Sequence, residues 1–178
     1  MCRIVLIRHG ETDWNLVNRV LGRTDRPLND TGKMQAAECA KRIRENVEIS
    51  VIYTSPLSRA VMTAEAIAAQ TGCEIRTDER LIEHNFGIFE GVPRDDPEYQ
   101  SAKREYFARY PEGESFIDVA ARAYSFLAFL KETHPEDTVA VVTHGGVGRV
   151  ITNYFQDMTN EEFVSFTMKN CEYRIFEM

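Results

Sequence analysis

The order of apolar and polar residues along the chain predicts strands that alternate with helices. Two segments, 3–7 and 138–143, contain uninterrupted apolar runs at 4–7 and 139–142, which is the pattern of parallel strands that are covered on both faces. Elsewhere, apolar residues recur every three or four positions, which indicates amphipathic helices. We therefore predict an α/β fold, a single three-layer domain in which helices cover both faces of a mostly parallel central sheet.

Capping and turn residues give the approximate bounds of these elements. Strands are predicted at 3–7, 51–53, 73–76, 138–143 and, as a final edge strand, 172–176. Helices are predicted at about 30–46, 58–72, 115–130, 147–155 and 160–165. Residues 10–30 and 81–93 are predicted to be irregular, and the polar segment 97–110 is compatible with a surface helix. We expect one domain over 1–178, with 84–115 as a lid or insertion.

Composition and charge narrow the functional classes. The formal net charge is −7, and such a surface does not suit nucleic acid or anionic membranes. No apolar run is long enough to span a bilayer, and the first run is too short for the core of a signal peptide. The four cysteines have neither Cys-x-x-Cys nor zinc-site spacing, which predicts reduced, mostly buried thiols in a cytoplasmic protein. The oligomeric state is not determined by the sequence.

Two predicted strands end in a histidine followed by glycine. These are Arg8-His9-Gly10 and Thr143-His144-Gly145. The carboxyl ends of parallel strands meet at the sheet edge where α/β proteins bind ligands, so both histidines are expected in one site. His9 can act as a nucleophile, and the guanidinium of Arg8 suits phosphate. Gly10 is expected to allow a sharp turn or the close approach of a ligand.

Further polar residues can complete a site for phosphoryl chemistry. Arg59 opens a helix after a strand, where the helix N-terminus adds positive potential for an anion. Glu83 and Glu90 are candidates for an acid/base group. Asn15, in preference to Thr12, is a candidate for a phosphate contact. No carboxylate cluster resembles a magnesium site, so we expect neither a metal nor another cofactor, and cationic donors would stabilise the transferred group.

Five sequence blocks resemble those of the histidine phosphatase superfamily, also called the phosphoglycerate mutase-like family. The first is Leu-x-Arg-His-Gly-Glu-x-x-x-Asn at 6–15. The others, in family order, are Ser-Pro-Leu-x-Arg-Ala at 55–60, Glu-x-x-x-Gly-x-x-Glu-Gly at 83–91, Pro-x-Gly-Glu-Ser at 111–115 and Val-x-His-Gly-Gly at 142–146. From the first block to the last, the matching region extends over most of the chain.

This resemblance implies roles for the matching residues. It implies that His9 forms a phosphohistidine, that Glu83 is the general acid/base and that Glu90 has a structural role. It further implies that the phosphate is held by five residues: Arg8, Asn15, Arg59, His144 and Gly145. We expect His144 to donate to the phosphoryl group as an imidazolium. In the family, the segment with Glu114 and Ser115 lines the site.

The resemblance leaves several activities open. The span between Glu83 and His144 is short for a glycolytic mutase, and mutases carry arginine where this chain has His84. The chain therefore resembles the broad-specificity and α-ribazole phosphatases, which implies a metal-independent hydrolase of a small phosphorylated substrate. The alternatives are a cofactor-dependent phosphoglycerate mutase and a non-catalytic binder of phosphorylated ligands. A protein-phosphohistidine phosphatase is less compatible, because its compact members usually lack an acid such as Glu83.

Some side chains have no assigned role at this stage. The aromatic residues between 86 and 110 can either form a pocket beneath a lid or pack together, and packing is the more common outcome at this spacing. The sequence does not position four nearby cations, Arg94, Lys103, Arg104 and Arg109. His134 is predicted to be solvated, and His84 has no predicted partner.

Overall fold

Five strands form one sheet. A computed structural model describes residues 1–178 and contains β1 (Arg3–Arg8), β2 (Val51–Thr54), β3 (Ile75–Thr77), β4 (Thr138–Thr143) and β5 (Tyr173–Glu177). The strand order is β3-β2-β4-β1-β5. All neighbouring strands are parallel except β5, which pairs antiparallel with β1 at one edge. The predicted mostly parallel sheet with a final edge strand is confirmed.

Seven helices accompany the sheet: α1 (Asp13–Leu16), α2 (Asp30–Asn46), α3 (Ser58–Thr71), α4 (Pro97–Ala102), α5 (Phe116–Thr133), α6 (Gly145–Phe155) and α7 (Asn160–Ser165). The short helix α1 lies in a segment that was predicted to be irregular. Its sequence signal is a capping box in which Thr12 and Asn15 bond each other's backbone N–H groups. Helix α6 begins two residues earlier than predicted, because His144 adopts the extended conformation of an N-cap residue.

Alternate residues of the central strand face opposite apolar cores. Ile4 and Leu6 pack with the buried faces of α5 and α6. Val5 and Ile7 pack on the other side with α2 and α3. The near-continuous apolar sequence of β1 is therefore explained by burial on both faces, and the predicted three-layer α/β fold is confirmed.

A third apolar cluster lies within segment 84–115 and its neighbourhood. It consists of Val20, Phe86, Phe89, Tyr99 and Tyr110. These aromatic residues mainly pack against one another, with ring centroids of Phe86 and Tyr110 5.4 Å apart. The interpretation as packing groups holds for Phe89 and Tyr110, whereas Phe86 and Tyr99 pack in the cluster and also line the cavity described below.

The surface helix expected at 97–110 is confined to α4, which ends at Ala102. A continuous helix would place Tyr106 and Tyr110 on one face, since they are four residues apart. In the structure, Tyr106 packs near Phe116 and Phe163, whereas Tyr110 belongs to the third cluster. The two rings occupy separate sites, which one continuous helix over 97–110 would not allow.

Gly10 allows two backbone segments to approach each other closely. A Cβ atom at Gly10 would lie 2.5 Å from the carbonyl oxygen of Gly32, in the first turn of α2. A Cβ atom at Gly32 would lie 2.1 Å from the carbonyl oxygen of Glu11. The glycine pair is needed because two backbone segments pack together.

His134 is buried, so the prediction of a solvated side chain is wrong. Its exposed fraction is 9%. Its Nε2 lies 3.1 Å from the hydroxyl of Tyr53, and its Nδ1 lies 2.8 Å from a carboxylate oxygen of Asp137. These bonds connect the end of α5 to β2 and to the turn before β4.

The cysteines match the prediction of unpaired and mostly buried thiols. Cys2, Cys39 and Cys171 are buried, Cys73 is half-buried, and all four are free. None of the helices combines the length and the apolar character that crossing a membrane requires.

Candidate active site

The two strand-end histidines lie side by side. Strands β1 and β4 are parallel neighbours, with Arg8 opposite Thr143. The backbone N–H of His9 donates to the carbonyl of Thr143 at 3.0 Å. The ring centroids of His9 and His144 are 5.0 Å apart, and both rings are buried. The sheet therefore brings the two histidines together at its carboxyl edge.

Arg59 connects the two histidines. Its Nε–H group lies 3.3 Å from Nε2 of His9 and 3.2 Å from Nδ1 of His144. Its terminal nitrogens donate to the carbonyls of Gly22 and Thr24 at 2.6 and 3.1 Å. The side chain is fully buried, so it is not an exposed arginine at a helix start.

Hydrogen bonds define the protonation pattern of each ring. Nδ1 of His9 lies 2.7 Å from the carbonyl of Gly10, which can only accept, so Nδ1 carries the proton and Nε2 holds a lone pair. Nδ1 of His144 accepts from Arg59, so its Nε2–H donates to the hydroxyl of Ser55 at 2.7 Å. These tautomers are assigned from the hydrogen-bond partners.

Burial lowers the pKa of both His9 and His144 well below its usual value, because the charged form loses its hydration. The positive charges of Arg59 and Arg8 act in the same direction. Both rings are therefore neutral at pH 7 in the unliganded site. The expected imidazolium at His144 concerns the protein with a phosphoryl group bound, and it stays a prediction.

A cavity of about 280 Å³ lies above His9. Five of the predicted site residues line it: Arg8, His9, Asn15, Glu83 and Gly145. Arg59 and His144 do not line it but contact the ring of His9. The structure therefore brings all the predicted site residues together, five on the cavity wall and two against the ring of His9.

Arg8 lines the cavity with part of its guanidinium unpaired. One terminal nitrogen donates to the carbonyl of Met168, whereas the buried Nε has no partner. Burial, followed by repulsion from Arg94, lowers the pKa of Arg8 to about 10, so the side chain is charged at pH 7. Its positive charge lies on the cavity wall, where it favours an anion.

Glu83 is held at the N-terminus of α6. Its carboxylate accepts backbone N–H bonds from His84 at 2.8 Å, Gly146 at 3.0 Å and Val147 at 3.2 Å. As the first residue of α6, Gly145 has a backbone N–H without an intrahelical acceptor, and it lines the cavity. One helix end therefore orients the carboxylate and contributes a donor to the cavity.

Glu90 and Glu114 bind other parts of the protein. The carboxylate of Glu90 accepts from the backbone N–H groups of Arg23 and Thr24, both at 2.7 Å. Glu114 pairs with Arg23 at 2.8 Å and with Arg122 at 3.2 Å. Neither glutamate lines the cavity, and Ser115 caps α5 instead. The implied lining role of the 114–115 segment is therefore not seen.

Asn15 lines the cavity, whereas Thr12 is buried as the N-cap of α1. Besides its capping bond, Oδ1 of Asn15 lies 3.4 Å from Nδ2 of Asn170. Asn170 also donates to the carbonyl of His9 at 3.0 Å. The preference for Asn15 over Thr12 agrees with this placement.

The sequence interpretation did not include several residues that line the cavity. The sequence pattern could have placed Arg149 at the site, because this residue lies four positions after Gly145 and therefore on the same face of α6. No sequence pattern indicates Asn170, since the antiparallel pairing of β5 with β1 brings it to the site. Arg94 and Lys103, which the sequence left unplaced, also line the cavity.

His84 is fully buried beneath the cavity region. Its Nε2 lies 2.9 Å from the carbonyl of Glu114, and its ring packs among Phe86, Tyr110 and Phe116. Burial lowers its pKa. Its surroundings are those of a packed neutral histidine.

The residues that line the cavity do not include a metal-ligand cluster. No three histidine, cysteine, aspartate or glutamate side chains anywhere in the chain lie close enough together to hold a metal ion. The charged groups that could stabilise an anion are the arginines and Lys103 described above.

Comparison with known proteins identifies the family. The model of the histidine phosphatase superfamily (branch 1) matches residues 4–178. The chain is 37% identical over 152 residues to the probable phosphoglycerate mutase GpmB of Escherichia fergusonii, covering 82% of this chain and 70% of that protein. The chain belongs to the histidine phosphatase superfamily.

Solved structures of similar proteins agree with this assignment. YhfR from Bacillus stearothermophilus is 33% identical, with a TM-score of 0.88 over 99% of this chain and 91% of that one. Phosphoserine phosphatase from Entamoeba histolytica, solved with 3-phosphoglyceric acid, is 29% identical, with a TM-score of 0.85 over 99% and 91% of the two chains. The chain is thus an enzyme of the phosphatase class within this superfamily.

Proposed function

We propose that this protein hydrolyses small phosphate monoesters, without a metal, through a phosphohistidine on His9. The observation that carries this proposal is the state of the His9 ring. Its Nδ1–H is bound to the carbonyl of Gly10, which leaves an unprotonated Nε2 in a residue that lines a cationic cavity. An unprotonated imidazole nitrogen is the form that attacks phosphorus.

In the first step, Nε2 gives up the hydrogen bond that it accepts from Nε–H of Arg59, and its lone pair forms a bond to phosphorus while the bond from phosphorus to the ester oxygen breaks. Glu83 donates a proton to the departing oxygen, which leaves as an alcohol. Arg8 and the backbone N–H of Gly145 stabilise the charge on the phosphoryl oxygens. Arg59 and His144 contact the ring of His9, and Arg59 adds its positive charge to the site.

In the second step, water attacks phosphorus and the phosphorus–nitrogen bond breaks. The carboxylate of Glu83 takes a proton from this water, so inorganic phosphate leaves and His9 returns to its starting form. The bonds from His84, Gly146 and Val147 keep the carboxylate in one orientation during both steps.

The first experiment measures phosphate release from an aryl phosphate in EDTA between pH 5 and 8. We expect robust turnover by the wild type, and a loss of at least about 10³-fold in His9→Ala, because the residue is the nucleophile. His134→Gln, which alters a buried histidine far from the cavity, is the matched control and should retain activity. Labelled phosphate should remain on the wild-type protein after an alkaline quench.

Three results would contradict the proposal. One is turnover that EDTA abolishes and a divalent cation restores. Another is activity in His9→Ala close to that of the wild type. The third is a folded wild type that binds phosphate but turns over no ester, which would indicate the non-catalytic binder.

A mutase is the second candidate, because the relative from Escherichia fergusonii is named a probable phosphoglycerate mutase. The bisphosphorylated glycerate primer with 2- or 3-phosphoglycerate separates the two activities. A mutase would interconvert the two isomers faster than it releases phosphate, whereas we expect phosphate release to dominate.

We further propose that residues 1–178 act as one domain and that 84–115 forms a cover over the site. Arg94, Tyr99 and Lys103 belong to this segment and line the cavity, which supports a covering role. The small substrate, the absence of nucleic-acid or membrane partners and a cytoplasmic location remain predictions, the last supported by the four free cysteines.

A further inference from the structure

The loop after β1 is held by two side chains that the proposed reaction does not use. They are Gln35 on α2 and Thr63 on α3, and neither lines the cavity. Each accepts a hydrogen bond from a backbone N–H group close to the nucleophile His9. We call Gln35 and Thr63 the support pair.

Thr63 binds the peptide that joins His9 to Gly10. Its hydroxyl oxygen accepts from the backbone N–H of Gly10 at 3.1 Å, and the hydroxyl donates to the carbonyl of Arg59 at 2.8 Å. The side chain is fully buried, so this hydroxyl is the acceptor that satisfies the N–H group within the protein. It links the residue after the nucleophile to α3.

Gln35 binds the next peptide, which joins Gly10 to Glu11. Its Oε1 accepts from the backbone N–H of Glu11 at 2.9 Å. The carbonyl of the same peptide belongs to Gly10 and lies 2.7 Å from Nδ1 of His9. Because a peptide is planar, a bond that holds its N–H group also fixes the direction of its carbonyl. Gln35 therefore acts on His9 through one peptide unit.

The first turn of α2 brings Gln35 to this position. Gly32 lies against the backbone of Glu11, since a Cβ atom at Gly32 would be 2.8 Å from the nitrogen of Glu11. Gln35 follows Gly32 by three residues and so lies on the same face of the helix. The close backbone packing at Gly32 therefore places the side chain of Gln35 within reach of the N–H group.

The chemistry of His9 gives the Gly10 carbonyl a part in the reaction. When Nε2 bonds to phosphorus, the imidazole ring gains positive charge, so its Nδ1–H becomes a stronger donor. Burial and the positive charges of Arg59 and Arg8 lower the pKa of His9, whereas the Gly10 carbonyl acts in the opposite direction and favours a charged ring. The bond from Nδ1–H is therefore stronger in the transition state than in the resting site, which is the kind of interaction that raises kcat.

We infer that Gln35 and Thr63 are positioning residues that keep the Gly10 carbonyl on Nδ1–H of His9 while Nε2 attacks phosphorus. Linked hydrogen bonds strengthen one another, so the bond from the N–H of Glu11 to Gln35 also makes the Gly10 carbonyl a better acceptor. The inference rests on the proposed function, because it names residues that support the proposed nucleophile.

The test removes each acceptor with little change in side-chain shape. Gln35→Met and Thr63→Val leave the N–H groups of Glu11 and Gly10 without these partners. We expect each variant to form the phosphoenzyme about tenfold more slowly, as the loss of one hydrogen bond in the transition state would give. Rapid-quench measurement with a labelled aryl phosphate determines this rate. Gln35→Met is the more robust variant, because Gln35 is half-buried.

A binding measurement separates positioning from damage to the cavity. Since neither member of the support pair lines the cavity, the Kd of inorganic phosphate should stay within about twofold of the wild-type value in both variants. The expected result is therefore a fall in rate without a matching loss of phosphate binding.

Conservative variants and matched controls complete the comparison. Gln35→Glu and Thr63→Ser keep an acceptor oxygen and should react within about threefold of the wild-type rate. Thr152→Val removes another fully buried hydroxyl that donates to the carbonyl four residues earlier. Gln70→Met removes another glutamine acceptor that joins α2 and α3. Both controls should keep the wild-type rate.

NMR of His9 provides a readout that does not depend on turnover. The Nδ1–H proton of the wild type should exchange slowly with water, because it is buried and bound to the Gly10 carbonyl. We expect Gln35→Met and Thr63→Val to exchange this proton at least about tenfold faster, whereas Thr152→Val should leave its exchange unchanged.

The outcomes distinguish this inference from the proposed function. Wild-type rates of phosphoenzyme formation and of Nδ1–H exchange in both folded variants would overturn the inference and leave the proposed function intact. A loss of phosphate binding as large as the loss of rate would also overturn it, because the two residues would then maintain the whole cavity. A wild type that forms no phosphoenzyme and releases no phosphate would overturn the proposed function, and the exchange rates would then decide whether the support pair holds His9.

Discussion

The charge state of His9 depends on burial and on the neighbouring side chain of Arg59. The fully buried Arg59 supplies one Nε–H group to two imidazoles, and its other donors are bound to the backbone of residues 22–24. A cation in this position opposes protonation of both rings. His9 is therefore kept in its nucleophilic form by burial first and by neighbouring positive charge second.

The charge state of His9 can be measured directly. Because its pKa is lowered, the ring should remain neutral as the pH falls below 6.5, where an ordinary histidine becomes charged. Arg59→Met removes the positive charge of Arg59, which is one cause of the lowered pKa, so the pKa of His9 should rise toward its usual value. NMR titration of the histidine Cε1–H signals measures the pKa of His9 in the wild type and in Arg59→Met, and His9→Gln assigns the signal.

Arg44→Gln, which changes an exposed arginine on α2, is the control and should not shift the His9 titration. A wild-type His9 that titrates at or above pH 6.5 would contradict the proposed neutral ring. An unchanged pKa in a folded Arg59→Met protein would show that burial alone sets it.

At the scale of elements, the end of a helix positions the candidate acid/base. Glu83 follows the turn at 79–81, yet its carboxylate is bound by backbone groups of α6, more than sixty residues away in sequence. Gly146 makes this contact possible because a Cβ atom there would lie 2.6 Å from Oε1 of Glu83. The position of the carboxylate is thus a property of two elements together.

This contact predicts the effect of Gly146→Ala. The added methyl group must displace the carboxylate of Glu83, and a displacement of about 1 Å from a reactive position typically costs about 10²-fold in rate. We expect kcat for an alkyl phosphate, which needs a protonated leaving group, to fall by about that factor while the Tm changes little. Steady-state kinetics and thermal unfolding measure the two quantities.

Gly148→Ala is the matched control on the same helix. Its Cβ atom would meet only the flexible end of the Met168 side chain, at 3.1 Å. We expect its kcat to stay within about threefold of the wild type, because displacement of a flexible sulfur costs little. Equal kcat values for the two alanine variants would argue against a positioned Glu83.

On the scale of the whole molecule, an acidic protein surrounds a cationic cavity. The net charge is −7, whereas the cavity wall carries Arg8, Arg94, Lys103 and Arg149 with a single carboxylate. Long-range attraction therefore does not bring an anionic substrate to this site, and recognition depends on contacts within the cavity. The unpaired cations also mean that the unliganded fold is less stable than the liganded one.

Inorganic phosphate should therefore stabilise the protein. At about ten times its Kd, a ligand that binds only the folded state adds roughly 1.4 kcal/mol to the free energy of unfolding. For a chain of this size, that corresponds to an increase in Tm of roughly 3–6 °C. Thermal unfolding with increasing phosphate measures the shift.

Sodium chloride at the same ionic strength is the control for screening, and Arg8→Gln should remove most of the phosphate effect. An equal shift with chloride would indicate a general salt effect on the acidic surface, and would contradict specific binding in the cavity.

The sequence alone determined the elements whose signals are local. The apolar runs at 4–7 and 139–142, the capping residues of α2 and α5, and the histidines at two strand ends each depend on neighbours in the chain. Parallel strands then place both histidines at one edge. These signals are sufficient for the three-layer fold and for most of the candidate site.

The tertiary structure alone decided the features that depend on distant residues. It paired Gly10 with Gly32, buried His134 against Tyr53 and placed Tyr106 and Tyr110 in different clusters. It also brought Arg149 and Lys103 together and kept both histidines neutral. Burial, close backbone packing and the summed field of surrounding charges are properties of the folded arrangement, so no local pattern in the sequence encodes them.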